Sequence, residues 1–179
     1  MATPPTFSAG AVLTAAQMNA VGLWLVKTDT ITSGTSKEIT GAFSSDYTNY
    51  RIVISNIRMS AVDGLYFRFG TANTGYYGSL QYDRYDGTAN GYARNNNGAG
   101  LAIGYGEDFV SAGSSSFDVY NPQGTADRRN IAGNFYSAGY SGWFGGTRVT
   151  STAYTSFTLY SAGGSTFSSC NIYVYGYHK

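Results

Sequence analysis

The residues that could do covalent or metal chemistry are few, and their spacing does not favour it. His178 is the only histidine and stands next to last. No Ser-His-Asp set can be assembled around a terminus that frays. Cys170 is the only cysteine, so no intrachain disulfide can form. In its alternating strand context it reads as a small buried hydrophobe rather than a nucleophile. No Cys/His cluster has zinc spacing, and no Asp/Asn/Gly run matches an EF-hand loop. Gly104-x-Gly106 follows an expected strand but opens no helix, which gives a phosphate little to sit on. Two carboxylate pairs, Asp83/Asp86 and Glu107/Asp108, are the candidates for glycoside hydrolysis. That chemistry needs carboxylates roughly 5–10 Å apart across a sugar, one with a raised pKa. Nothing in the sequence brings either pair together so. Asp83 and Asp86 bracket Arg84 beside a turn, where Asp is at home. The expectation is a protein that is not an enzyme and that needs no metal or cofactor, with glycan hydrolysis as a remote alternative.

Recognition chemistry is better represented. The stretch from Thr71 to Gly100 carries Tyr77, Tyr82, Tyr85 and Tyr92 among Asp83, Arg84, Asp86 and Asn95. Tyrosine offers a flat apolar face and a polar edge at low entropic cost, and Tyr with Ser, Gly and Asn is the composition of adaptable binding loops. The Asp, Arg and Asn side chains would add directional hydrogen bonds to a glycan or receptor. The same residues also fit an ordinary long hairpin with a flexible tip, since Asp86-Gly87 and Asn97-Gly98 are turn dipeptides.

The elements that must position these residues are strands. The chain has 179 residues, enough for one domain with a real core. It holds 24 Gly and 17 Tyr with only 12% charged residues, the composition of a Gly-turned, Tyr-rich β protein and too aromatic for disorder. The formal net charge of +1, with no basic run beyond Arg128-Arg129, argues against nucleic acid and against an anionic membrane surface. No apolar run is long enough for membrane insertion, and no basic n-region marks a signal peptide, so folding in a cytoplasm is expected. Strands are predicted at Leu23–Ile31, Lys37–Phe43, Tyr50–Met59, Gly64–Thr71, Tyr76–Tyr85, Leu101–Tyr105, Ser116–Tyr120, Asn130–Tyr136, Thr147–Thr152, Ser156–Tyr160 and Cys170–Tyr177. Several alternate cleanly: Leu65, Phe67 and Phe69 oppose Tyr66 and Arg68, and Cys170, Ile172 and Val174 oppose Tyr173 and Tyr175. Tyrosine recurs on the second faces, at Tyr66, Tyr120, Tyr160, Tyr173 and Tyr175. These are either cross-strand rings on half-exposed sheets or the interface with a sister subunit.

Ahead of the strands lies a different segment. Pro4-Pro5 excludes helix at the start. Thr14 and Gln17 then have the spacing of a capping box, and Leu13 and Met18 that of a hydrophobic staple. Gly22 offers a left-handed stop. The helix between is too short to stand alone, so it must dock on something. Residues 1–22 are therefore expected to form a helical adaptor before a β domain over 23–179.

Phe7, Gly10, Leu13, Thr14, Ala15, Ala16 and Asn19 follow the pattern F-x-x-G-x-x-L-T-A-A-x-x-N. This resembles the start of many tailed-bacteriophage minor tail, fibre and head-decoration proteins. The run from Ser165 to Tyr177 resembles the last strand of phage fibre jelly rolls, with Cys170 where a Gly usually stands. Tyr47–Ile57 resembles an early strand of the same domains. The resemblance implies an antiparallel jelly-roll-like β-sandwich and a place on the virion, assembled in the host cytoplasm. It implies a homotrimer among other virion structural proteins. Attachment would run through Phe7, Leu13, Thr14, Gln17 and Met18. A tail fibre or fibre tip would meet host-surface glycan; a head-decoration or head-fibre protein would share the fold and serve the capsid.

Overall fold

The computed structural model describes residues 10, 12, 22–87, 90–107, 112–125, 127–137 and 139–177. The expected adaptor helix, with Phe7, Leu13, Thr14, Gln17 and Met18, lies outside them, as do Asp108 and His178. Among the described residues there is no helix, and none is long and apolar enough to cross a membrane.

The described residues form twelve strands in two antiparallel sheets: β1 (Leu23–Ile31), β2 (Ser36–Ile39), β3 (Asn49–Met59), β4 (Asp63–Phe69), β5 (Tyr76–Arg84), β6 (Asn90–Gly98), β7 (Leu101–Gly106), β8 (Gly113–Tyr120), β9 (Arg128–Ser137), β10 (Tyr140–Val149), β11 (Phe157–Ser161) and β12 (Phe167–Tyr177). The larger sheet runs β1-β12-β3-β8-β9-β10-β5-β6 and the smaller β2-β11-β4-β7. The predicted alternation holds on most strands. Leu65, Phe67 and Phe69 of β4, Phe117 and Val119 of β8, Phe157 and Leu159 of β11, and Ile172 and Val174 of β12 are all buried between the sheets. Phe67 is central, with ring centroids 4.9 Å from Phe69, 5.5 Å from Phe117 and 5.4 Å from Phe157. Thr158, between Phe157 and Leu159 on β11, is buried as well, its hydroxyl donating to the Gly70 carbonyl at 2.6 Å. Cys170 faces inward as expected, and burial pushes its thiol up to about 12, which keeps it an inert hydrophobe.

Two strands depart from the sequence reading. β6, Asn90–Gly98, was not expected as a strand, because NGYARNNNG has no apolar alternation and is rich in poor strand formers. It forms as an edge strand by pairing with β5. β10 spans Tyr140–Val149 rather than Thr147–Thr152, since its glycines hide the period of two. Those glycines serve close approach. Gly78 of β5 and Gly146 of β10 are register partners. A Cβ on Gly78 would lie 2.8 Å from Leu101 Cδ2 and 2.6 Å from the Gly145 carbonyl oxygen. One on Gly146 would lie 2.5 Å from Leu101 Cδ2 and 2.9 Å from the Tyr77 carbonyl oxygen. The pair opens a hole in the larger sheet that receives the β7 leucine.

Polar anchors fix the loops. The Asp63 carboxylate accepts hydrogen bonds from the backbone N–H of Gly64 (2.7 Å), Gly163 (2.9 Å) and Ser165 (3.1 Å) and from the Ser161 hydroxyl. Burial alone would lift its pKa, but these donors outweigh burial and hold it below the usual carboxylate value. Asp118 is lowered in the same way: burial opposes, and its bonds from Arg51 and Tyr177 prevail.

Gly78→Ala is expected to cost about 1–3 kcal/mol of unfolding free energy through overpacking against backbone that cannot yield, read as a lower denaturant midpoint with an unchanged slope. The depressed Asp63 and Asp118 values give a pH prediction. Their stabilisation is complete above the ordinary carboxylate pKa of about 3.9 and is lost as pH falls through the lower folded values. Asp63→Asn should therefore flatten the acid limb of a midpoint-against-pH curve and lower the midpoint at neutral pH. A curve parallel to that of the unsubstituted chain would show that Asp63 takes no part.

Candidate functional site

Strands β3, β8, β9, β10, β5 and β6 lie side by side, so their outward side chains fall into rows. One row reads Val53, Ser116, Asn134, Trp143, Gln81, Tyr92, each facing the next across a strand pair. The neighbouring row reads Ser114, Tyr136, Ser141, Asp83, Asn90. Serines are short and rings are long, so the two rows make a trough. A depression of about 620 Å³ is lined by Val53, Ser55, Ser114, Ser116, Asn134, Tyr136, Ser141, Asp83 and Trp143. A second, of about 520 Å³, is lined by Gln81, Tyr82, Asp83, Asn90, Gly91, Tyr92 and Trp143. Trp143 and Asp83 border both, so Trp143 stands as a ridge between them. Five inter-strand steps give the trough a span of roughly 24 Å.

The rings are left in water. Trp143 is 58%, Tyr136 58% and Tyr92 66% exposed. Large exposed aromatics gathered on one face mark a binding surface more than a packing one. Rings alternate with amides along the first row, so apolar faces and paired donor-acceptor groups are interleaved. Among the described residues lining the two depressions, Asp83 is the one that is charged. Arg94 stacks on the Tyr92 ring at 4.9 Å but lines neither. Among the described residues no cluster of three His, Cys, Asp or Glu could hold a metal ion.

The recognition residues expected from sequence divide. Asp83 and Tyr92 line the trough, and Tyr77 lies on the same face at the Thr147 register, in another row. Tyr82 faces the other way: its ring packs edge-on against Tyr105 at 5.5 Å and Tyr140 at 5.6 Å. Only its backbone side reaches the second depression, because β5 alternates and Gln81 and Asp83 take the outward positions. Arg84 pairs with Asp86 at 3.4 Å and lies over the Tyr140 ring at 5.6 Å. Tyr85 and Asp86 sit at the exposed end of the hairpin, away from the trough-lining residues. Asn95 donates its side-chain amide to the Gly100 carbonyl and holds the turn into β7. The stretch is thus a hairpin of which one face borders the trough. Trp143, Tyr136 and Asn134 were missed. Their signal was the alternation of Asn134 and Tyr136 with buried Phe135, and a lone Trp inside a Gly-rich run.

The five tyrosines expected at a subunit interface do not share a face. Tyr66 and Tyr160 lie outside the smaller sheet, half-buried against each other at 5.5 Å, with Arg68 over Tyr160 at 5.0 Å. Tyr120, Tyr173 and Tyr175 lie outside the larger sheet on its β12, β3 and β8 side, Tyr173 in register with the trough residue Val53. There Arg51 grips Asp118 with two hydrogen bonds of 2.9 and 2.8 Å, and the Tyr177 hydroxyl donates to Asp118 at 2.6 Å. The exposed apolar residues Leu23 and Leu25 complete that end. One patch spanning all five rings is geometrically impossible.

No family model matches the chain, and no curated protein sequence matches it. Among solved structures it is similar to the alginate lyase Aly36B, at 13% identity over 83% of this chain and 78% of that one, with a TM-score of 0.35. A doubly substituted form of Aly36B in complex with an alginate tetrasaccharide aligns at 11% identity over 84% and 80%, with a TM-score of 0.23.

Proposed function

We propose that this chain is a non-enzymatic structural protein of a tailed-phage particle, a tail fibre or fibre-tip module. Its N-terminal segment joins the particle, and the outer face of its larger sheet meets host-surface glycan. The observation that carries this reading is the ring-and-amide trough centred on Trp143. Binding sites work best on rigid elements, and this one is built wholly from paired strands. A hydrolase would need a second carboxylate across the sugar from Asp83, and the described residues of the lining supply none.

The sandwich is read as a jelly roll with two inserted hairpins. Without β5-β6 and β9-β10, the sheets become β1-β12-β3-β8 and β2-β11-β4-β7. Consecutive strands then cross between the sheets or pair as the two wound Greek keys of a jelly roll require. Both hairpins extend the same sheet, and the trough lies largely on them. The scaffold is thus generic, and the insertions carry the specific surface. A homotrimer would cover Tyr120, Tyr173 and Tyr175 with Leu23 and Leu25, reaching the trough only at its Val53 end and leaving Trp143 free.

Phage particles carrying Trp143→Ala or Tyr136→Ala should adsorb to host cells at least about tenfold more slowly, the loss of a hot-spot ring, with particle yield and protein incorporation unchanged. Normal adsorption by both would remove host contact and turn attention to a role on the capsid. The purified chain at micromolar concentration should have three times the chain mass by light scattering, and Leu25→Asp with Tyr175→Ala should reduce that to one. A monomeric unsubstituted chain would refute the trimer.

A further inference from the structure

We infer that the trough binds an uncharged polysaccharide, laid across the strands over Trp143 so that one chain occupies both depressions. The inference rests on the host-contact reading and adds the chemistry of the ligand. Several classes of ligand are disfavoured by the same surface. An extended peptide is usually captured through a sheet's free edge, but trough strands β3, β8, β9, β10 and β5 each have a hydrogen-bonded strand on both sides, and the one free edge, on β6, lies at the far end of the trough beyond Tyr92. Recognition over Trp143 must come from side chains. A nucleic acid or a polyuronate would bring anionic groups to Asp83 with no lining cation to pair them.

An uncharged sugar chain fits what remains. Its rings present C–H faces to aromatic side chains and hydroxyl pairs at their rims. Trp143 and Tyr92 lie in one register row with Gln81 between them, two strand steps or roughly 9.6 Å apart. The order ring, amide, ring therefore offers a stacking face, a donor-acceptor pair and a second stacking face along one line. Asn134 continues the line beyond Trp143. Asp83, bordering both depressions, can accept hydroxyl protons in charge-assisted hydrogen bonds, which are stronger than neutral ones. A monosaccharide can fill only one depression. A longer chain engages both, the second at high effective concentration, so affinity should climb with chain length.

The full-length chain can be run through native gels containing dextran, mannan, galactan or polygalacturonate. At least one uncharged polysaccharide should retard it, and polygalacturonate should not. Trp143→Ala should weaken that retardation at least about tenfold, with the circular dichroism spectrum unchanged. In a Trp24→Phe background, the emission of Trp143 should shift on adding oligosaccharides of the retained polymer, at concentrations that fall as the chain lengthens. Asp83→Lys, at an exposed position, should retain polygalacturonate. Stronger retardation by polygalacturonate than by every uncharged chain, no retardation by any, or retardation indifferent to Trp143→Ala would each overturn the inference. Adsorption separates the two levels. If Trp143→Ala slows adsorption while the gels fail, host contact stands and the uncharged ligand falls. If adsorption is unaffected while the gels succeed, the ligand stands and host contact falls.

Discussion

The structure depends on a mismatch of widths: an eight-stranded sheet is covered by one of four strands. A sheet buries one face only as far as its partner reaches. Phe157 of β11 and Phe67 and Phe69 of β4 supply the aromatic middle of the core, and β7, at the edge of the smaller sheet, must serve the surplus strands. It does so by coming close. Gly104 of β7 has a φ of 141° and lies against Phe135 of β9, where a Cβ would stand 3.0 Å from that side chain. Leu101 of β7 enters the hole left by Gly78 and Gly146. Tyr105 of β7 then joins Tyr82 and Tyr140 in a three-ring cluster at the end of the sandwich. Burial lifts the Tyr105 hydroxyl well above its usual range, with its bond to Tyr82 adding to the shift, so it stays neutral.

That arrangement shapes the opposite face of the same strands. β10 alternates Gly142, Phe144 and Gly146 inward with Trp143, Gly145 and Thr147 outward. Its inward residues are set by the approach of β7 and by Phe117, whose ring lies 5.6 Å from Phe144. Its outward residues carry no such duty, so a tryptophan there is free to meet a ligand. Alternation converts a packing solution on one face into a rigid mount for the other. The trough is therefore stiff because the core beneath it is tight, and a ring held on a paired strand loses little freedom when something stacks on it.

The sequence was most legible where strands bury one aliphatic face. β3, β4, β8, β11 and β12 could be read from the period of two because Ile, Phe, Leu and Val stand at their inward positions. It was least legible at β6 and β10. Burial at β10 is achieved by removing side chains, and glycine carries no hydrophobic signal. β6 is held by hydrogen bonds to β5 with little burial. The stretch from Thr71 to Gly100 could be read as a hairpin, but which of its side chains share a face needed the register. Tyr82 and Asp83 are adjacent, yet only Asp83 presents its side chain to the trough, and a shift of one residue would exchange them. Trp143 and Tyr92 are far apart in sequence and meet only because β10 and β6 both flank β5, which no local pattern encodes.

The low charge of the chain takes on meaning in this frame. Eleven Lys and Arg and ten Asp and Glu are all it carries, and many hold architecture. Asp63 gathers the β11–β12 loop onto its backbone N–H donors. Arg51 and Asp118 lock β3 to β8, and Lys37 meets Asp29 at 2.7 Å between the first two strands. Arg129 is fully buried and donates to the carbonyls of Arg128, Gly124 and Thr152, tying the β8–β9 loop to the segment after β10. A buried guanidinium is costly unless its donors are met, and backbone carbonyls accept from both terminal nitrogens of this one. Charge is concentrated at joints, where a hydrogen-bonding ion fixes two segments at once. Along the trough, hydroxyls, amides and rings surround Asp83, the one charged lining residue among those described. Such a surface has little long-range steering, since steering needs a charged field. It must gain its selectivity at contact range, through the shape of the rings and the placement of the amides beside them.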